Sequence, residues 1–296
     1  GRYIRELEPD MIVVHGDRVE SLAGAICGAI NNILVAHVEG GEISGTIDES
    51  IRHSISKLAH IHFVANDSAK QRLMQLGESE SSIRVIGSPD IDIILQAPSL
   101  DFEMILRRYD IPFREFAVLM YHPVTTELEG LKGKINHLVN AIQKSGDNYI
   151  VIHPNNDHGY GIILEEYNRL KGSDKVKCYA SIRFEFFLEI LKHSKYIIGN
   201  SSAGIHEAPV IGIPSINIGT RQKNRFFHET IINCNDTEDQ ILNAIKIAKE
   251  MTNLGSTKHF GEGKSRENFL LAITSPSLWE ISRQKTFIDI EQNNRS

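Results

Sequence analysis

Tyr196-Ile-Ile-Gly-Asn-Ser-Ser-Ala-Gly-Ile-His-Glu207 runs from apolar residues through a cluster of small ones into a second apolar period. A short apolar run closed by Gly199 reads as a buried strand, and the small residues as the turn that leads into a helix. Such a turn presents backbone N–H groups and the Ser201 and Ser202 hydroxyls at a helix N-terminus, which suits a phosphate or diphosphate. Ser/Gly turns are also common without a ligand. The stretch therefore speaks first about fold, as one strand–turn–helix unit of a parallel sheet.

The unit recurs in both directions. Upstream, strands are expected at Met11–His15, Ile33–Val38, Ile61–Ala65 and Ile83–Ile86, with helices at Val19–Asn31, Glu49–Ala59 and Ser68–Leu76. Thr46-x-x-Glu49 has capping-box spacing for the second of these helices. Pro89–Pro112 reads as a crossover with helical character at Phe102–Tyr109. A second series follows, with strands at Phe116–Tyr121, Tyr149–His153, Val176–Tyr179, Tyr196–Ile198 and Ser215–Ile218. Its helices are expected at Gly133–Lys144, Ile162–Leu170, Phe184–His193, Ala203–Val210 and Thr237–Met251, the last capped by Thr237. Ser277–Ile290 reads as a final helix. Alternating strands and helices imply an α/β fold with parallel sheets, and 296 residues exceed what one core usually serves. Two doubly wound, Rossmann-like domains facing a cleft are the expected architecture.

Bulk properties narrow the function. Hydrophobic residues make up 41% and charged residues 24%, an ordinary globular mixture. A net charge of −6 argues against nucleic acid as a partner, which calls for a basic stripe. No apolar run approaches the ~20 residues of a membrane helix, so no membrane partner is expected. Cys27, Cys178 and Cys234 are scattered thiols without a CxxC pair, which fits a reducing cytosol and a cytoplasmic location. The 13 histidines include no HExxH, and His53, His60 and His62 lack ligand spacing, so no metal is expected. Those three read as surface or packing residues.

In parallel sheets, ligands gather beyond the carboxyl ends of strands. His15-Gly-Asp-Arg18 and His37-Val-Glu-Gly-Gly-Glu42 occupy such ends, and Asp48 opens the helix that follows. Asp17 could instead be an N-cap, and Asp48 a first-turn carboxylate placed by the helix dipole. Glu39, followed by two glycines, has no capping role. In the second series the corresponding ends carry Tyr121-His122-Pro123, His153-Pro-Asn155-Asn-Asp-His-Gly159, the Ser201–Ser202 turn and Gly219-Thr-Arg221-Gln-Lys-Asn-Arg225. Glu207 could accept paired ribose hydroxyls or be a solvated helix carboxylate. The three cations of residues 219–225 could neutralise a diphosphate or form a solvated loop.

In order, His15–Arg18, His37–Glu42, Thr46–Leu58, Pro154–Asp157, Gly199–Glu207 and Asn217–Gln222 resemble the hydrolysing UDP-N-acetylglucosamine 2-epimerases of bacterial sialic acid synthesis. The resemblance runs from about residue 8 to about residue 250. It implies a GT-B fold in which the C-terminal domain holds most of the nucleotide. A first domain over 1–97, a second over 112–276 and a C-terminal helix over 277–296 packing back on the first would follow. By the same resemblance, Ser201, Ser202, Glu207 and Arg221 contact UDP with Asn155 nearby, and His122 sits over the diphosphate. Arg18, Asp17, Glu39 and Asp48 face the sugar, the offset of Asp48 from Glu39 matching the family's third carboxylate. The family's opening strand and Gly-Thr-Arg loop have no counterpart here. The first domain is therefore expected to be incomplete, and the chain by itself to self-associate with low activity.

The implied reaction eliminates UDP across C1–C2 and hydrates the glycal, giving N-acetylmannosamine and UDP. Asp17, Glu39 and Asp48 are the candidate acid and base, and His122 and Arg221 would stabilise departing diphosphate. No cofactor is called for, and a homo-oligomer, dimer or higher, is expected. Three alternatives stand beside this: a hydrolysing epimerase of a UDP-2,4-diacetamido-2,4,6-trideoxy sugar for legionaminic acid, a non-hydrolysing UDP-N-acetylglucosamine 2-epimerase, and a non-catalytic sugar-nucleotide-binding subunit.

Overall fold

The computed structural model describes residues 2–44, 47–96 and 100–289, so Thr46 of the expected capping box lies outside the described residues. The chain divides into two compact units, one of Gly1–Gln96 with Lys258–Ser296 and one of Ala97–Thr257. Residues 258–276, expected in the second domain, thus belong to the first unit, and residues 97–111 belong to the second.

The first unit holds a parallel sheet of β1 (Met11–His15), β2 (Leu34–Val38), β3 (Ile61–Val64) and β4 (Ile83–Val85), in that order. Every residue of β2 and β3 is buried, as expected for parallel strands covered on both faces. The Ala/Gly-rich helix Val19–Ile30 lies so close to β2 that a Cβ on Gly28 would come within 2.4 Å of Val35. Along β1, at one edge of the sheet, Val13 is 49% exposed.

The second unit's sheet runs β10 (Ile231–Cys234), β9 (Ser215–Ile218), β8 (Ile197–Gly199), β5 (Ala117–Met120), β6 (Tyr149–Ile152), β7 (Val176–Tyr179), all parallel. The chain builds outward from β5 through β6 to β7, then returns to β8 and builds the other way. β5 and β8 therefore flank the point where strand order reverses. The helix Leu131–Ser145 shows how this core forms: Leu131, Ile135, Leu138, Val139 and Ile142 make one apolar stripe against the sheet, and Gly146 ends the helix in a left-handed conformation.

The α/β class with two parallel-sheet units is as expected, and four details differ. β10 was not expected; none of its four residues is fully buried, Asn233 is exposed, and the stretch looks like loop in isolation. Helices Pro89–Gln96 and Ser265–Thr274 are additional. Thr237 occupies an N-cap position but makes no side-chain capping bond. The expected helix over 277–290 is a single turn, Pro276–Trp279, followed by irregular chain to residue 289.

That irregular chain is tied down by charge. Lys285 Nζ lies 2.6 Å from Glu78 Oε2, and the same carboxylate meets Lys57 Nζ at 2.7 Å and His62 Nε2 at 3.1 Å. Nearby, His60 Nδ1 accepts the Val35 N–H and its Nε2 lies 3.1 Å from the Arg283 carbonyl, while Ile288 N donates to the Gly77 carbonyl. Burial opposes an ionised Glu78, yet the His62 N–H and the two ammonium groups bring its pKa down to about 2.

Lys285→Met should lower the denaturant midpoint of the first unit, by roughly 1–3 kcal/mol for a buried acceptor that loses a charged donor. Because the pKa of Glu78 falls from 4.5 to about 2 on folding, its contribution is full above pH 4.5 and lost as pH drops toward 2. Glu78→Gln should flatten that part of the acid-unfolding curve followed by circular dichroism.

Candidate active site

In the second unit, the strand ends at the reversal point are forced together. Gly199 ends β8 with φ +139°, and a Cβ there would sit 1.9 Å from the Met120 carbonyl oxygen of β5. Only glycine permits that approach. It brings Asn200, 1% exposed, over the end of β5. Asn200 N donates to Met120 O at 3.1 Å, its Oδ1 accepts the His122 N–H at 2.7 Å and its Nδ2 donates to the His122 carbonyl at 2.8 Å. The Asn200 carbonyl in turn accepts from Arg221 Nη1 at 3.0 Å and Gln222 Nε2 at 3.1 Å.

His122, Arg221 and the residues after β8 are thus one assembly held by Asn200. Asn155, from the end of β6, joins it: its backbone N–H donates to His122 Nδ1 at 3.2 Å and its Nδ2 donates to Asp157 at 2.6 Å. Burial, and then the charge of Arg221, lowers the His122 pKa to about 4. The ring is therefore neutral above that pH, with its Nδ1 facing both the Asn155 N–H and, at 3.3 Å, Asn155 Oδ1.

The small-residue turn departs from expectation. Ser201 caps a 3-10 turn, Ser202–Gly204, by accepting the Ala203 N–H, and the α-helix begins only at Glu207 and runs to Ile211. The expected continuous helix over 203–210 is absent: the Ser202 carbonyl accepts from both Ile205 N and His206 N, and a 3-10 turn precedes the helix. Ser201 is buried, whereas Ser202 and Glu207 are partly exposed.

In the first unit, Asp17 follows β1 and Glu39 follows β2, both within electrostatic reach of His15, while Asp48 sits in the first turn of the helix after β2. Asp17 is no N-cap, since Arg18 occupies that position for the helix Val19–Ile30, and the Asp17 carboxylate pairs with buried Arg52. Asp48 lies one turn before Arg52 in the helix Ile47–Leu58, on the same face. Arg52 also donates to the Glu42 carbonyl at 3.0 Å. Arg18 itself is exposed.

The Gly16 turn that carries Asp17 is pinned by His37. His37 is wholly buried, donates from Nε2 to the Gly16 carbonyl at 2.8 Å and accepts the Ser56 hydroxyl at Nδ1 at 3.0 Å. Burial lowers its pKa to about 3, so the ring stays neutral and keeps this tautomer.

Glu39 adopts φ +64°, the left-handed region that a residue with a Cβ rarely occupies. Its N–H donates to the Phe63 carbonyl at 2.8 Å, and the next two residues have no room for side chains. A Cβ would meet His37 and Ser56 at 2.9 Å from Gly40, and the Ala69 carbonyl at 2.3 Å from Gly41.

Four participants were not singled out from sequence: Ser88 and Asp90, which follow β4; Arg52; and Asn200. Asp90 has a raised pKa, through burial first and then the charge of Glu39. Their association depends on positions tens of residues apart, such as the 49 between Glu39 and Ser88, which periodicity does not reveal. Among the described residues, no group of three or more His, Cys, Asp or Glu could hold a metal ion, and no helix is long and apolar enough to cross a membrane.

Residues 1–274 match the family described as UDP-N-acetylglucosamine 2-epimerase. A UDP-N-acetylglucosamine 2-epimerase of Neisseria meningitidis serogroup B is 46% identical over 288 residues, covering 96% of this chain and 76% of that protein. A hydrolysing UDP-N,N'-diacetylbacillosamine 2-epimerase of Legionella pneumophila is 35% identical over 260 residues, covering 88% and 69%. Among solved structures, the Methanocaldococcus jannaschii UDP-GlcNAc 2-epimerase in complex with UDP-GlcNAc and UDP superposes with a TM-score of 0.79 at 22% identity, covering 92% of this chain and 78% of that one. That likeness shows the fold, of the GT-B type.

Gly199→Ala should destabilise the second unit by about 2–4 kcal/mol in chemical denaturation, since both the contact with Met120 and the positive φ are penalised. For His122, imidazole 15N NMR should report a neutral ring above pH 4. Arg221→Gln should raise its pKa while leaving it below 6.5, because burial, the larger cause, remains.

Proposed function

The chain belongs to the UDP-N-acetylglucosamine 2-epimerase family, and on that premise we propose that it hydrolyses UDP-N-acetylglucosamine to N-acetylmannosamine and UDP. The observation that carries this reading is the grouping of Asp17, Glu39 and Asp90 around His15 at the strand ends, with Asp48 one turn before the Arg52 that pairs with Asp17. Elimination needs a base for a weakly acidic C2 proton, and hydration of the glycal needs proton transfer to and from water. Neighbouring carboxylates in unlike environments supply both.

In this reading the second unit binds the nucleotide. Ser201, Ser202, Glu207 and Arg221 contact UDP with Asn155 nearby, and the His122 imidazole and the Arg221 guanidinium stabilise the departing diphosphate. Arg18, Asp17, Glu39 and Asp48 act on the sugar. The C1–O bond to UDP breaks as the C2 proton leaves. Water then adds its hydroxyl at C1 and a proton at C2 on the opposite face. The hydrolysing branch is favoured by the Gly219-Thr-Arg-Gln222 and Asn200-Ser-Ser202 motifs and by the name of the Legionella relative. That same relative makes a UDP-diacetamido-trideoxy sugar the second candidate substrate.

Incubation with UDP-N-acetylglucosamine, followed by 1H and 31P NMR, should show free UDP and N-acetylmannosamine in equal amounts. UDP-N-acetylmannosamine with no free UDP would place the chain in the non-hydrolysing branch, and turnover of the diacetamido sugar alone would select the second substrate. Asp17→Asn and Glu39→Gln should each lower kcat by about 1,000-fold or more while UDP affinity stays within a few-fold, the pattern of groups acting in the transition state.

A further inference from the structure

Both oxygens of Glu39 are taken. Ser88 Oγ donates to Oε1 at 2.5 Å, and His15 Nε2 lies 3.0 Å from Oε2. The three residues come from three strand ends, His15 closing β1, Glu39 following β2 and Ser88 following β4. We propose that His15 and Ser88 are positioning residues that clamp the Glu39 carboxylate at two points and fix the direction of its remaining lone pairs. The proposal rests on the reading that Glu39 acts on the sugar.

The chemistry explains why a clamp is needed. A base that removes a carbon-bound proton works only within a narrow range of approach, and a glutamate side chain has three torsions to restrain. The backbone already holds residue 39 in a left-handed conformation between Phe63 and two glycines. The two donors complete the restraint at the other end of the side chain. A carboxylate offers about four lone-pair sites, so one donor on each oxygen orients the group without using its whole acceptor capacity.

His15 adds a pH dependence. Its side chain is 49% exposed against 19% for Glu39, so it exchanges protons readily with water. The acidic groups acting on it are Glu39, Asp90 and Asp17, and its pKa is raised above 6.5, first by the hydrogen bond to Glu39. While His15 is protonated, its charge makes Glu39 a weaker base. As pH rises through the His15 pKa that charge is lost, and kcat should climb.

The test uses the 296-residue chain and two independent readouts. Imidazole 15N NMR should show His15 titrating above pH 6.5, and Glu39→Gln should move that titration down. His15→Gln and Ser88→Ala should each lower kcat about 10- to 100-fold with KM changed less than about threefold. His15→Gln should also delete the ionisation above pH 6.5 from the kcat profile, and Ser88→Thr should restore most of the rate. A His15 titration indifferent to Glu39→Gln, or wild-type kcat in both clamp variants, overturns the proposal. If the unsubstituted chain turns over no UDP-sugar, the functional reading fails, and the NMR titration alone decides whether the clamp exists.

Discussion

The second unit depends on one approach of two backbones, at Gly199 and Met120, closer than any side chain allows. Because β8 ends against β5, a single asparagine can reach both sides of the reversal point. Asn200 spends its side-chain amide on the peptide of His122 and its carbonyl on Arg221 and Gln222. A polar side chain buried this deeply is costly unless it is satisfied, and here it is satisfied by the groups that it must place. Fold and site are therefore one constraint. The first unit has a parallel in Gly40 and Gly41, which let the chain turn so tightly that Glu39 must adopt positive φ.

Strain of that kind persists only where its surroundings over-determine it. In the first unit those surroundings are the Phe63 carbonyl and the His37, Ser56 and Ala69 atoms against Gly40 and Gly41, while the opposite ends of the strands are held by charge. Glu78, Lys57, Lys285 and His62 form a buried cluster on that side, with His60 tied to both Val35 and Arg283. The cluster is not a simple gain, because burial also pulls the Lys285 pKa down, and a buried pair often does little more than offset its own desolvation. Its value lies in the cost of breaking it, which holds an irregular segment in place without a helix.

Much of this was legible in the sequence. Nine of the strand positions follow from short apolar runs, which also put His15–Arg18, His37–Glu42 and Tyr121–Pro123 at the carboxyl ends of strands, where the structure has them. Glu39 was legible because glutamate before two glycines has no ordinary structural use. Ser88 and Asp90 were not, since a serine and an aspartate opening a helix after Gly87 look like ordinary capping chemistry, and only folding brings them to Glu39. β10 was missed because Ile231-Ile-Asn-Cys234 is short and half polar. The helix over 277–290 failed for a different reason: tertiary ion pairing, not local periodicity, decides the conformation of that stretch.

The first unit is discontinuous in the chain, since Lys258–Ser296 joins Gly1–Gln96 while Ala97–Thr257 forms a body of its own. During synthesis the ribosome must therefore finish the second unit before it makes the residues that complete the first. Until Lys285 emerges, Glu78 lacks one of its cations, and until Phe269 and Leu278 emerge the β2–β3 core lacks part of its cover. The inserted unit has every strand it needs by residue 234. Order of folding can thus reverse order along the sequence, with the later unit able to fold first and the earlier one waiting on Lys258–Ser296.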